Sequence, residues 1–242
     1  MKPILTSKSK ETPYEEKIGV IVGDIQGDFT EWKKGSLAVP NTGEDFIKKA
    51  EEATKFLYKS GFSIFAVQDW HPGDHISFYT SHPGKKPFEA IKIHGRTQVL
   101  WPPHCVQGTE NARILVDNNL FLAIVQKGRD KRFESYSAFQ DDQGQKTEMD
   151  SILKRNGIKK VVAYGIATDY CVRATALDAV QAGYKVIVIE GLCRGVALDT
   201  SKRALEEMKK AGVLILDRLN INEIKKFKSF NQRSIYSATV VV

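Results

Sequence analysis

The residues able to do chemistry stand where apolar runs give way to polar turns. In Tyr164-Gly165-Ile166-Ala167-Thr168-Asp169-Tyr170-Cys171-Val172 an apolar run ends at glycine, and a helical pattern begins near Asp169. Cys171 is therefore expected in the first turn of a helix, just beyond a buried strand. Free backbone N–H groups and the positive end of the helix dipole favour a thiolate there. The same N–H groups suit the oxyanion of an attacked carbonyl. The stretch reads as a nucleophile elbow with cysteine in place of serine. The competing reading is a small buried residue packing helix onto sheet. Two other polar residues close apolar runs in the same way, Asp24 after Ile18–Val22 and Lys127 after Phe121–Gln126. Together the three supply a nucleophile, a carboxylate able to take its proton, and a cation able to hold either charge.

A second group lies in Gln68-Asp69-Trp70-His71-Pro72-Gly73-Asp74-His75 and Trp101-Pro102-Pro103-His104. Asp69 and His71 alternate at a strand end, so their side chains point the same way. With His104 they make a donor set suited to zinc, iron(II) or manganese, the remaining positions being left to water or substrate. His75 reads as a fourth ligand, a helix cap or a partner standing behind the ligands, and the last ranks first. His82 and His94 read as surface residues and Asp74 as a turn former.

The elements that must position these groups follow from periodicity. Apolar runs at Ile18–Val22, Phe62–Val67, Phe121–Gln126, Lys159–Tyr164, Lys185–Ile189 and Val213–Leu216 read as buried strands. Helical patterns fall between them: Thr42–Tyr58 with Thr42 as N-cap, a short one around Met149–Leu153, one from Cys171, and Asp199–Lys210. The stretch between Asp69 and Asn119 has no regular pattern and is rich in His, Pro, Gly and aromatics, a composition typical of a functional loop. Alternating strand and helix predicts an α/β fold, three-layer α/β/α, with a six-stranded, mainly parallel sheet. Ligands bind at the carboxyl ends of such strands, where Asp24, Lys127 and Cys171 all fall. The expected organisation is a lead-in at 1–17, one domain at 18–217 and a basic extension at 218–242 with a short edge strand at 238–242.

Composition narrows the class. The 242 residues are 42% hydrophobic and 27% charged, ordinary for a soluble globular protein. A net charge of +7, much of it toward the chain ends, reads as solvated basic tails rather than a nucleic-acid surface. No run is long and apolar enough to span a membrane, and the first residues lack a signal-peptide core. Three cysteines argue against a disulfide framework and fit a reducing cytoplasm. Expected partners are thus a small molecule, no nucleic acid and no membrane, with a homo-oligomer left open.

Asp24-Ile25-Gln26-Gly27-Asp28-Phe29, Gln68-Asp69-Trp70-His71, Trp101-Pro102-Pro103-His104-Cys105, Lys127-Gly128 and Gly165-Ile166-Ala167-Thr168-Asp169-Tyr170-Cys171-Val172 together resemble the nicotinamidase branch of the isochorismatase-like cysteine hydrolases. The resemblance runs in order from about residue 18 to 216. It implies an isochorismatase-like hydrolase fold and hydrolysis of nicotinamide, and of pyrazinamide, as in NAD salvage. It further implies a triad of Asp24, Lys127 and Cys171 and one divalent metal ion, Zn2+ first with Fe2+ or Mn2+ as alternatives. The ligands would be Asp69, His71 and His104, joined in some relatives by a histidine placed like His75. A cis peptide would fall at Ile166-Ala167, an oxyanion hole at the N–H groups of Ala167 and Cys171, and pocket walls at Phe29, Trp101 and Tyr136. Gly23 and Gly27 depart from the family pattern, which more often has a larger residue and Asn.

Overall fold

The computed structural model describes residues 16–227. Strands β1 (Lys17–Gly23), β2 (Ser63–Asp69), β5 (Ala123–Lys127), β6 (Ile158–Gly165), β7 (Lys185–Ile189) and β8 (Leu214–Leu216) form one sheet in the order β5-β2-β1-β6-β7-β8. Every neighbouring pair is parallel. The chain runs outward from β1 in one direction through β2 to β5, then returns to β6 on its other side. Right-handed crossovers therefore put helices on both faces, and ligands are favoured where the direction reverses, between the ends of β1 and β6. Helix α1 (Glu44–Lys59) packs on β2, while α2 (Met149–Arg155) and α3 (Arg173–Gln181) pack on β6 and α4 (Leu198–Lys210) on β8. Burial on both faces explains the near-continuous apolar strands, with Val20, Phe65, Val161, Val162 and Val186–Ile189 fully enclosed. This is the three-layer α/β/α architecture expected from the sequence.

Three local readings change, and that of Cys171 in a first helical turn is refined. Thr42 does not cap α1. Gly43 occupies that position, while the buried Thr42 hydroxyl donates to Val39 C=O and accepts from Glu31 N–H, closing the preceding loop on itself. The patternless 69–119 stretch contains an antiparallel hairpin, β3 (Ala90–Ile93) and β4 (Arg96–Val99). Cys171 lies in a π-helical turn, Thr168–Val172, and α3 starts only at Arg173. The segment after residue 218 begins as a docked helix, α5 (Ile221–Lys226), because Ile224 and Phe227 bury apolar side chains in the core. The strand expected at 238–242 lies outside the described residues. Among the described residues no helix is long and apolar enough to cross a membrane.

Candidate active site

Asp24 directly follows β1 and Lys127 ends β5, with β2 carrying Asp69 between them. Asp69 and Lys127 are register partners on adjacent parallel strands, so their side chains emerge side by side. Cys171 approaches from the other side of β1. Gly165 (φ +140°) makes this approach possible, since a Cβ there would lie 1.9 Å from Gly23 O. The Ile166-Ala167 peptide that follows is cis. Asp169 then ties the turn to the entry of α4, its carboxylate accepting from Val196 N–H at 3.0 Å, Ala197 N–H at 3.3 Å and the Thr200 hydroxyl.

These strand ends converge on the Lys127 ammonium. It lies 2.5 Å from Asp69 Oδ1, 3.3 Å from Asp24 Oδ2, 3.0 Å from Ser135 C=O and 3.5 Å from Cys171 Sγ. Ligand atoms of Asp24, Asp69 and Cys171 all lie within 4.8 Å of one another. Sequence reasoning paired Lys127 with Asp24 and Cys171; the structure adds Asp69 as its shortest contact. Burial pushes the Asp24 carboxyl up to about 6, against the pull of Lys127 and with the push of Asp69. Burial works against the Asp69 charge too, but Lys127 and then His71 overrule it and hold that carboxyl below the usual range. For Lys127 burial is likewise outweighed, by Asp24 and Asp69, and its ammonium is held well above the ordinary value. Burial drives the Cys171 thiol well up, with Lys127 pulling the other way. Desolvation thus opposes the thiolate that a helix N-terminus favours, and it outweighs the nearby positive charge.

Asp69 also faces His71 and His104, and the three offer ligand atoms within 4.8 Å of one another. His71 Nδ1–H donates to Gly128 C=O at 3.0 Å and His104 Nδ1–H to Pro102 C=O at 2.8 Å. In the neutral imidazoles those bonds leave each Nε2 with its lone pair. His71 Nε2 is buried with no hydrogen-bond partner, 3.5 Å from Asp69 Oδ2. A buried orphan acceptor facing a second imidazole and a carboxylate is a donor set that fits one divalent metal ion. Gly128 (φ +66°) must be glycine, since a Cβ would sit 2.2 Å from His71 Cε1. His75 has both ring nitrogens engaged, Nδ1 with Ser77 Oγ at 2.8 Å and Nε2 with Phe133 C=O at 3.1 Å, and its ring lies 4.3 Å from that of His71. Of the histidines set aside, half-buried His82 bonds Ile76 C=O, and exposed His94 packs on Phe133. Exposed Asp74 pairs with Lys131.

The site opens into a small pocket lined by Cys171, Asp69, His104, Phe29, Trp101 and Tyr136 among others. Trp101 Nε1–H donates to the Tyr136 hydroxyl at 3.1 Å, and Tyr170 packs against both rings. Ala167 shares the lining with Cys171, so both residues expected to supply oxyanion donors border the same space. Sequence reasoning missed Leu37, Val39, Glu134, Tyr170 and Val196. Glu134 is the most consequential, a buried carboxylate grouped with His71 and His75 and held below its usual range by those rings despite the cost of burial. Tyr170, next to Cys171, was the one of these with a signal in the sequence.

The family model of the isochorismatase domain matches residues 19–218. The nicotinamidase of Escherichia coli (strain K12) is 39% identical over 201 residues, covering 81% of this chain and 92% of that protein. The crystal structure of the yeast nicotinamidase bound to the inhibitor nicotinaldehyde aligns with a TM-score of 0.77 at 32% identity, covering 83% of this chain and 100% of that one. The pyrazinamidase of Pyrococcus horikoshii in complex with zinc aligns with a TM-score of 0.70 at 37% identity, covering 84% and 99%.

Proposed function

The chain belongs to the isochorismatase family, and from that premise we propose that it hydrolyses nicotinamide to nicotinate and ammonia, with pyrazinamide as a further substrate. The reaction returns a pyridine ring to NAD synthesis. The observation that carries the proposal is a buried carboxylate and ammonium gathered beside a thiol that lines an aromatic pocket also presenting Asp69 and His104.

In this reading Asp24, with its carboxyl near 6, is mostly ionised at neutral pH and takes the Sγ proton as sulfur attacks the amide carbon. Lys127 faces both partners and balances the charge that passes between them. The N–H groups of Ala167 and Cys171 receive the oxyanion, worth about 3 kcal/mol per donor in comparable sites. Asp24 returns the proton to the amide nitrogen, the C–N bond breaks, and ammonia leaves a thioester on Cys171. Water then attacks the thioester and gives a proton to Asp24. The C–S bond breaks, nicotinate departs, and Asp24 restores the thiol proton.

Phe29, Trp101 and Tyr136 wall the ring. Asp69, His71 and His104 would hold one divalent ion, Zn2+ in this reading, supported by the two Nε2 lone pairs and by the zinc complex of the Pyrococcus horikoshii relative. Bound there, the ion supplies a Lewis acid that orients the ring nitrogen and with it the carboxamide.

The test is ammonia release from nicotinamide by the purified protein, before and after chelation, with metal analysis of the same sample. Release that falls with chelator, returns with zinc and is absent in Cys171→Ala supports the reading. A folded, metal-loaded protein that releases no ammonia from nicotinamide overturns it.

A further inference from the structure

Asp24, Gln26 and Asp28, at the start of the loop after β1, are buried polar residues, and the chemistry above uses only the first. Gln26 is fully enclosed, and its amide is committed to backbone. Oε1 accepts from Asp69 N–H at 2.8 Å, while Nε2 donates to Asp69 C=O at 2.9 Å and to Ala112 C=O at 2.8 Å. The pairing of β1 with β2 ends at Gly23 and Val67, two residues short of Asp69. The Gln26 amide thus replaces a missing strand neighbour and clamps both backbone groups of Asp69. Gly27 lets the loop come this close, because a Cβ there would lie 2.8 Å from Asn111 Cα.

Asp28 acts on the other ligand-bearing loop. Its Oδ2 accepts from Cys105 N–H at 2.7 Å and its Oδ1 from Ser36 N–H at 3.3 Å. The Ser36 hydroxyl in turn donates to Pro103 C=O at 2.7 Å. His104 is therefore held on both sides, and Cys105 is kept at a positive φ of +46° that a free chain would leave.

We propose that Gln26 and Asp28 are positioning residues for the metal site, each fixing the backbone of one ligand-bearing residue, Asp69 and His104. The proposal rests on the assignment of Asp69, His71 and His104 as metal ligands. Its physical content is preorganisation. The ordering cost of bringing two separate loops together is met during folding, so less of the metal's binding energy is consumed in doing so. The same loop carries Asp24, so the proton acceptor and both ligand carriers are set by one short segment.

The experiment is Zn2+ affinity by chelator competition for the full-length protein, Gln26→Met, Asp28→Asn and Asp69→Asn. It is paired with the melting temperature of each metal-free protein and with kcat and KM for nicotinamide at saturating zinc. Gln26→Met keeps the side chain's length and removes its hydrogen bonds; Asp28→Asn leaves an amide N–H facing a backbone donor. Each is expected to bind zinc about 10-fold or more weakly, the usual effect of losing a partner that orients a ligand. Excess zinc should restore most of kcat. Affinity within about 2-fold of wild type in the folded variants, well short of that effect, overturns the proposal whatever the melting temperature does. If Gln26→Met does not fold, Asp28→Asn decides by the same criterion. Asp69→Asn separates the two levels. If it loses zinc while the others keep it, only the positioning role falls; if it also keeps zinc, the ligand assignment falls first.

Discussion

Lys127 is 2% exposed, and its ammonium is within reach of the Asp24 and Asp69 carboxylates and the Cys171 thiol together. A buried ammonium survives only with such partners, and removing it leaves their charges uncompensated. Lys127→Met should therefore destabilise the fold by about 3–5 kcal/mol. It should also raise the Asp24 carboxyl further, since Lys127 is the main influence now opposing burial. With the base protonated at neutral pH, kcat should fall by roughly 100-fold or more while KM moves little. A rise confined to KM would instead make the lysine a binding residue. The native enzyme carries a related signature. Protonating Asp24 removes the proton acceptor, so kcat/KM should decline as pH falls through about 6, the value burial gives this carboxyl. A profile flat down to pH 5, about one unit below, would show that another group takes the thiol proton.

At the scale of elements, the site stands on strands whose far ends are secured independently. Lys160, near the start of β6, is buried and donates to the carbonyls of Ile224 at 2.8 Å and Lys225 at 3.1 Å, closing the last turn of α5. Lys160→Met should cost about 1–3 kcal/mol through carbonyls that lose a donor. It should leave kcat and KM unchanged, because the chemistry lies at the other end of β6; denaturant unfolding beside steady-state kinetics checks both. The strands were legible because parallel strands buried on both faces are written as unbroken apolar runs, and Asp24 and Lys127 because each closes one. The β3–β4 hairpin was also written, as a two-residue His94-Gly95 turn with both φ positive, +50° and +78°. It was lost among the prolines and histidines around it. Thr42 misled because a threonine before a helical pattern looks like a cap until its hydroxyl is seen bonding within the preceding loop. Leu37, Val39, Glu134 and Val196 carried no local signal, since nothing in their own neighbourhoods says which loops will meet over Cys171. The roles of Gln26 and Asp28 were hidden for the same reason, their partners lying 43 and 77 residues away.

For the molecule as a whole, the reversal of strand order beside β1 gathers loops from widely separated parts of the sequence over one sheet edge. Asp69 leaves from β2, while His104 belongs to a separate loop, tied to the segment after β1 by Asp28 and Ser36 and to His71 by the backbone of Cys105 and Gln107. An ion held between Asp69, His71 and His104 would be a cross-link joining the sheet to that loop, and binding only the folded state it must stabilise it. At free metal about 100 times the dissociation constant the linkage amounts to about 2.7 kcal/mol. For a domain of this size each kcal/mol shifts the melting temperature by about 2–4 °C, so metal should raise it by roughly 5–10 °C. Thermal melts with zinc and with chelator measure the difference directly. Asp69→Asn should abolish it, since the carboxylate is shared by the cation cluster and the donor set, whereas Cys171→Ala should retain it. A wild-type melt indifferent to both zinc and chelator would mean that these residues pair with one another and hold no ion.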